Sequence, residues 1–310
     1  MNELYEKCQS LVNANLKENI DKENLNVLYA SVLAIFLLKP ELTLKKLPNI
    51  LNSLNLIVGN KSVLNLAIDN IEGIDDIEIL KAAGAVITRN INYDEETGNL
   101  SLDNYLILSK DNKKINKAEA VMKITHELFH LLRHGNITKN DKEIKDIEGI
   151  SINTFNLETK ELKRKHMQLE EAIVQSYTNE ALNLLKDYLN NNNINDFLKS
   201  LQKELISFSY SAYDIHLNIL NIYKRNPKIE ELIDDTFENY ETPSKLAIYI
   251  NSVMTSSSAF TKMSRNLDKL IEGMDNGNLP NIENAKGIYL NMLKDAKEFL
   301  NRSQNKNYKL

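Results

Sequence analysis

Tryptophan is absent from the chain and cysteine nearly so, with Cys8 alone among 310 residues. No internal disulfide can form, which suits a reducing compartment. Five prolines and nine glycines are too few for a collagen-like chain, a Gly/Ser-linked array or a turn-dense β-sandwich. Charge of one sign is not in excess either. The 38 Lys and Arg stand against 43 Asp and Glu, leaving a net of −5. Nothing there holds a phosphate backbone, so no nucleic-acid partner is expected. Long apolar runs are also missing. The most hydrophobic stretch, residues 25–38 (LNVLYASVLAIFLL), would rise about 21 Å as a helix, short of the roughly 30 Å of a bilayer core. It is expected to be a buried core helix, with no membrane span. The first 24 residues are polar, without an apolar signal region or small-residue cleavage site. The expected location is therefore cytoplasmic, and export without a signal peptide is compatible with the same sequence.

What is present is a globular balance of 42% hydrophobic and 26% charged residues, enough chain for two ordinary domains or one large one. Few helix breakers and abundant Lys, Glu, Leu and Asn predict an α+β protein that is mostly α-helical. Residues 1–83 read as an N-terminal helical region. Pro40 ends the apolar helix there, and Pro48 is an expected interruption of the next. Residues 84–189 read as a core. Within it, residues 85–93 (AVITRNINY) and 99–109 (NLSLDNYLILS) alternate and carry β-branched side chains, predicting a hairpin closed by the polar turn at 94–98. A polar break at 111–114 leads to a helix over 116–134, whose stripe Ala118, Val121, Met122, Thr125, Leu128, Phe129 and Leu132 has helical spacing. Gly135 sits at its stop position. Residues 136–157 read as an irregular loop and 158–189 as a second long helix. The asparagine run 190–193 is the expected linker. Residues 190–310 form a C-terminal helical region broken near 226–227, 241–243 and 277–280.

The chemistry lies on the helix over 116–134, in Thr125-His126-Glu127-Leu128-Phe129-His130. Histidines at i and i+4 share one helix face, so both imidazoles can reach one ion. Zn²⁺ accepts nitrogen ligands at about 2.0–2.1 Å and works with three protein ligands and one open position. Glu127, one residue along, is placed to act on a water there as general base. With only five histidines in the chain, this H-E-x-x-H is not a product of histidine abundance, and the apolar stripe around it demands burial.

The motif resembles that of the zinc metallopeptidases with an H-E-x-x-H helix. The metzincin branch would need Gly and His where this sequence has Arg133 and Asn136. His134 lies about 12 Å along a continuous helix from His126, too far to join the same ion, and reads as a C-terminal residue favoured by the helix dipole. The gluzincin (thermolysin-like) branch takes its third ligand from a glutamate on a later helix, and Leu169-Glu170-Glu171-Ala172-Ile173-Val174-Gln175 is similar to that second motif. The resemblance implies a zincin-like metallopeptidase core in which one Zn²⁺ is bound by His126, His130 and Glu171, with Glu127 as catalytic base. Glu170 is then a neighbour or an alternative ligand. Gln175 stands where the family carries an acid supporting a zinc-bound histidine, which implies weaker metal binding. The 41-residue step from His130 to Glu171 exceeds the gap in thermolysin itself.

The same resemblance gives the strand over 99–109 a role as a sheet edge for an extended substrate, with an ordinary interior strand as the other reading. It also asks for a Tyr or His to stabilise the transition state, and Tyr177, Tyr210, Tyr213 and His216 are the candidates. His166 reads as a helix-surface residue. The implied activity is zinc-dependent hydrolysis of peptide bonds, most simply by an endopeptidase acting on a protein or peptide substrate. Its setting is either intracellular regulation or action outside the producing cell. A helical interaction module with a vestigial metal site, and a metal hydrolase of a non-peptide bond, are the alternatives.

Overall fold

The structure, a computed structural model, describes residues 3–17, 22–59, 85–93, 100–109, 116–159, 161–208, 213–239, 242–275 and 279–305. Among these the protein is mostly helical and of α+β type, with two small sheets. No helix of the described residues is long and apolar enough to cross a membrane. The chain divides into two compact units, one of residues 1–132 and 177–209, the other of residues 133–176 and 210–310.

The first unit opens with α1 (Glu3–Asn15), α2 (Lys22–Leu38) and α3 (Pro40–Ser53). Nine successive residues of α2, Val27 to Ile35, are buried, as expected of a helix apolar all round and packed within a core. Pro40 takes the first turn of α3, where its missing N–H costs nothing. Pro48 does not interrupt: α3 runs through it. A three-stranded sheet follows, of β1 (Leu54–Gly59), β2 (Ala85–Tyr93) and β3 (Leu100–Ser109). β2 and β3 pair antiparallel as the alternation predicts, with Thr88 opposite Tyr105. β1 is an addition, pairing parallel with β3 from Leu54–Asn104 to Gly59–Ser109. The strand order β1-β3-β2 puts β3 in the middle. Its backbone is committed on both sides, so the expected substrate-binding edge at 99–109 is an interior strand. The turn at 94–98 and the break at 111–114 lie outside the described residues.

The helix α4 (Lys117–Arg133) is held at both ends. Asn116 accepts from the Glu119 N–H at 2.8 Å as an N-cap. The Ala118 N–H donates to Glu204 on α6 (Asp196–Ser207) at 3.2 Å, a carboxylate at the positive end of the helix dipole. At the other end Lys46 donates to the Leu132 carbonyl at 3.0 Å. Along its length Ser31 of α2 donates to the Val121 carbonyl at 3.2 Å. The Phe129 ring lies 5.8 Å from that of Tyr177.

The second unit corrects the reading of residues 134–165. In place of a loop there is a four-stranded antiparallel meander of β4 (His134–Lys139), β5 (Glu143–Glu148), β6 (Ser151–Asn156) and β7 (Leu162–Lys165). His134 is therefore not the end of the helix but the first residue of β4, opposite Glu148, and Gly135 falls in an irregularity of register between His134 and Ile137. The second long helix starts later than expected, as α5 (Met167–Asn191), and reaches into the asparagine run. Beyond it come α7 (Asp214–Lys224), α8 (Pro227–Asp235), α9 (Thr242–Met254), α10 (Ala259–Asp275) and α11 (Leu279–Asn305). The expected break at 226–227 is a cap: Asn226 accepts from the Lys228 N–H at 2.9 Å, with Pro227 in the first turn of α8. Tyr223, Tyr249 and Phe299 meet in an aromatic cluster, the last 4.9 Å from Tyr223 and 6.2 Å from Tyr249.

Candidate metal centre

His126 and His130 project from one face of α4 because four residues make just over one turn. Both are buried, at 7% and 8% exposure. Their Nε2 atoms face one another at 3.1 Å, with ring centroids 4.8 Å apart and planes at 65°. Two nitrogens held about 2.05 Å from one ion at the tetrahedral angle stand ~3.3 Å apart, so the pair has close to the spacing that a shared ion requires. The apolar residues around them, Ile124, Leu128, Phe129, Leu131 and Leu132, are all buried. Glu127, between the two histidines in sequence, is half-buried.

Glu170 and Glu171 open the first turns of α5 and differ completely in environment. Glu170 is 2% exposed and its carboxylate accepts three hydrogen bonds. Arg133 donates from Nε at 2.5 Å to one oxygen and from Nη2 at 3.0 Å to the other, and the Ile150 N–H donates at 2.9 Å to the second oxygen. Such a carboxylate has most of its acceptor capacity committed to a cation and a backbone donor, which disfavours it as a ligand. Glu171 is half-buried, and Tyr213 donates to its Oε2 at 3.2 Å. That partner is a neutral phenol rather than a cation. His126 and His130 each offer one imidazole nitrogen within their own unit, and Glu171 offers a carboxylate oxygen in the other. Two imidazole nitrogens and a carboxylate oxygen form a donor set suited to Zn²⁺.

The remaining candidates separate by burial. Tyr177 is a buried aromatic, stacked near Phe129 and lying beneath the Lys39 ammonium, 5.3 Å from the ring centroid. Tyr210 lies outside the described residues. Tyr213 is half-buried and bound to Glu171. His216, 2% exposed, finds no side-chain hydrogen bond of normal geometry for either ring nitrogen. Burial pushes its pKa below the usual histidine range, against an opposing pull from the Leu267 backbone and the Glu171 charge. His166 is not on a helix surface. It sits half-buried at the β7–α5 junction with φ 63°, its Nδ1 2.8 Å from Ser264 Oγ and its ring 4.9 Å from Phe260. Gln175 is fully buried.

Sequence reasoning missed Arg133, which it met only as the residue that breaks the metzincin pattern. Arg133 is fully buried, bound to Glu170, in reach of the Ile233 carbonyl at 3.4 Å and over the Phe237 ring at 4.9 Å. One signal for it was available: an arginine closing an otherwise apolar helix end, one turn past His130. Among known proteins, no family model matches this chain, and neither a curated protein nor a solved structure matches it.

Proposed function

We propose that this chain is a zinc-dependent metallopeptidase with a zincin-like core, in which His126, His130 and Glu171 bind one Zn²⁺ and Glu127 is the general base. The observation that carries this is the pair of buried H-E-x-x-H imidazoles, whose Nε2 atoms stand 3.1 Å apart; Glu171 is assigned as third ligand by its place in the sequence motif. A bound Zn²⁺ supplies a Lewis acid and lowers the pKa of a water it holds toward about 7. The side chains do the rest. His126 and His130 would hold the ion through their Nε2 atoms and Glu171 through a carboxylate oxygen. Glu127 takes the proton of the attacking water as the new C–O bond forms, then returns it to the amide nitrogen as the C–N bond breaks. Tyr213 fixes the rotamer of Glu171 through its hydrogen bond, which limits the carboxylate to a narrow set of approaches. The substrate in this reading is a protein or peptide. The setting is cytoplasmic, in keeping with a buried, unpaired Cys8.

The test uses the native chain and Glu127→Gln, each reconstituted with zinc and offered a mixed peptide library, with new termini read by mass spectrometry. Glu127→Gln should keep its zinc and lose cleavage by about a hundredfold or more, the lower range of a general base's contribution. Equal cleavage by both chains would refute the role of Glu127. Zinc binding without cleavage of any peptide by the native chain would favour the non-catalytic module.

A further inference from the structure

The end of α4, the β5–β6 turn and the first turn of α5 are tied together at one point. The tie is ionic, fully buried and used by no step of the proposed reaction. Arg133 and Glu170 are 0% and 2% exposed and meet through two parallel N–H···O bonds. The turn between them is bound to both. The Gly149 N–H donates to the Arg133 carbonyl at 2.8 Å, and the next N–H, that of Ile150, donates to the Glu170 carboxylate. Gly149 has φ 53°, in the left-handed region, and a Cβ there would overlap the Glu170 carboxylate. Only glycine lets the turn close over the ion pair.

Stability alone is a poor reason for this arrangement. Burying two charges costs desolvation that their attraction repays only in good geometry, and an apolar pair of similar volume is often as stable. What an arginine fork on a carboxylate adds is a fixed angle and distance. Two sequence relations give that fixity a use. Arg133 follows His130 by three residues on α4, and Glu170 immediately precedes Glu171 on α5. A shift or rotation of Glu170 is therefore transmitted to the backbone of Glu171.

We propose that Arg133 and Glu170, closed over by Gly149 and Ile150, are positioning residues that set where the Glu171 carboxylate stands for metal binding. This inference rests on the metal-centre reading above. Partners of that kind, which orient ligands without touching the metal, typically change affinity by 10–100-fold when altered.

The experiment compares zinc affinity of the full chain, by competition with a chromophoric chelator, in the native protein, Arg133→Lys, and the double variant Arg133→Met/Glu170→Met. The folded fraction of each is measured by circular dichroism in EDTA. Lysine keeps the charge and loses the fork; the double variant loses both charges and leaves no orphaned ion. Both should bind zinc at least about tenfold more weakly per folded molecule, at unchanged stoichiometry, and Gly287→Ala, remote on α11, should bind as the native chain does. Native affinity in either folded variant would overturn the proposal, leaving the pair a purely structural contact. If neither variant folds, the pair is a folding element and the positioning role is likewise rejected. A native chain that takes up no zinc would instead bring down the metal-centre reading on which the inference stands.

Discussion

Removing one partner of the Arg133–Glu170 pair should be far more damaging than removing both. In Arg133→Met the Glu170 carboxylate loses two of its three donors and keeps only the Ile150 N–H. At 2% exposure water cannot replace them without opening the site. An uncompensated buried charge of this kind costs about 3–5 kcal/mol. In Glu170→Met, Arg133 retains the long bond to the Ile233 carbonyl and the Phe237 ring, and a loss of about 3–5 kcal/mol is again expected. The double variant leaves neither ion exposed to the interior, and only the Gly149–Ile150 turn is left short of one acceptor. One lost hydrogen bond to a charged group is worth about 1.5–3 kcal/mol, so the double variant should be no worse than either single one. The assay is urea unfolding at pH 7 in EDTA, which removes any metal contribution, closed as a double-mutant cycle. A double variant destabilised by the sum of the two single losses would show that the pair is not coupled and refute this reasoning.

Two further predictions concern each unit by itself. Cys8 is fully buried and its thiol is pushed up to about 12 by that burial; it should resist a thiol-reactive disulfide reagent at pH 8 in the native chain and react at once in guanidinium, and rapid native labelling would contradict the packing of α1. Gly287 lies within α11, and a Cβ added there would meet nothing within 4 Å, so Gly287→Ala should raise stability by about 0.5–1 kcal/mol in urea titrations through helix propensity alone, and a loss of stability would contradict that helix.

The helices were legible wherever one apolar face was long enough to read. The stripe of α4 fixed both its existence and its burial, and the alternation in residues 85–93 and 100–109 fixed the pairing of β2 with β3. The meander of β4 to β7 was not legible, for a reason visible in β5. Its sequence EIKDIE has isoleucines three apart, a helical spacing, yet the strand buries Ile144 and Asp146 on one face and leaves Ile147 on the other. Hydrophobicity therefore fails to report the period of two. β1 escaped because its partner β3 is some fifty residues away, and parallel pairing leaves no local turn signal. Pro48 shows the opposite error, since a helix held by tertiary packing survived the loss of one backbone hydrogen bond.

The site divides along similar lines. His126, Glu127 and His130 announce themselves because their spacing is local to one helical turn. Glu171 was distinguishable from Glu170 only by resemblance in sequence, whereas their surroundings differ sharply: three donors crowd Glu170, and a tyrosine hydroxyl meets Glu171. Arg133 had no sequence rationale because its partner lies 37 residues away and its burial depends on a hairpin that the hydrophobic pattern concealed.

The most direct measurement of the central claim is zinc content and affinity after stripping and reconstitution, for the native chain and for His130→Ala and Glu171→Ala. One tightly held ion per native chain, with each substitution weakening it by at least about tenfold, is the predicted result. A native chain that retains no zinc, or a Glu171→Ala chain that holds it as tightly as the native one, would contradict the account.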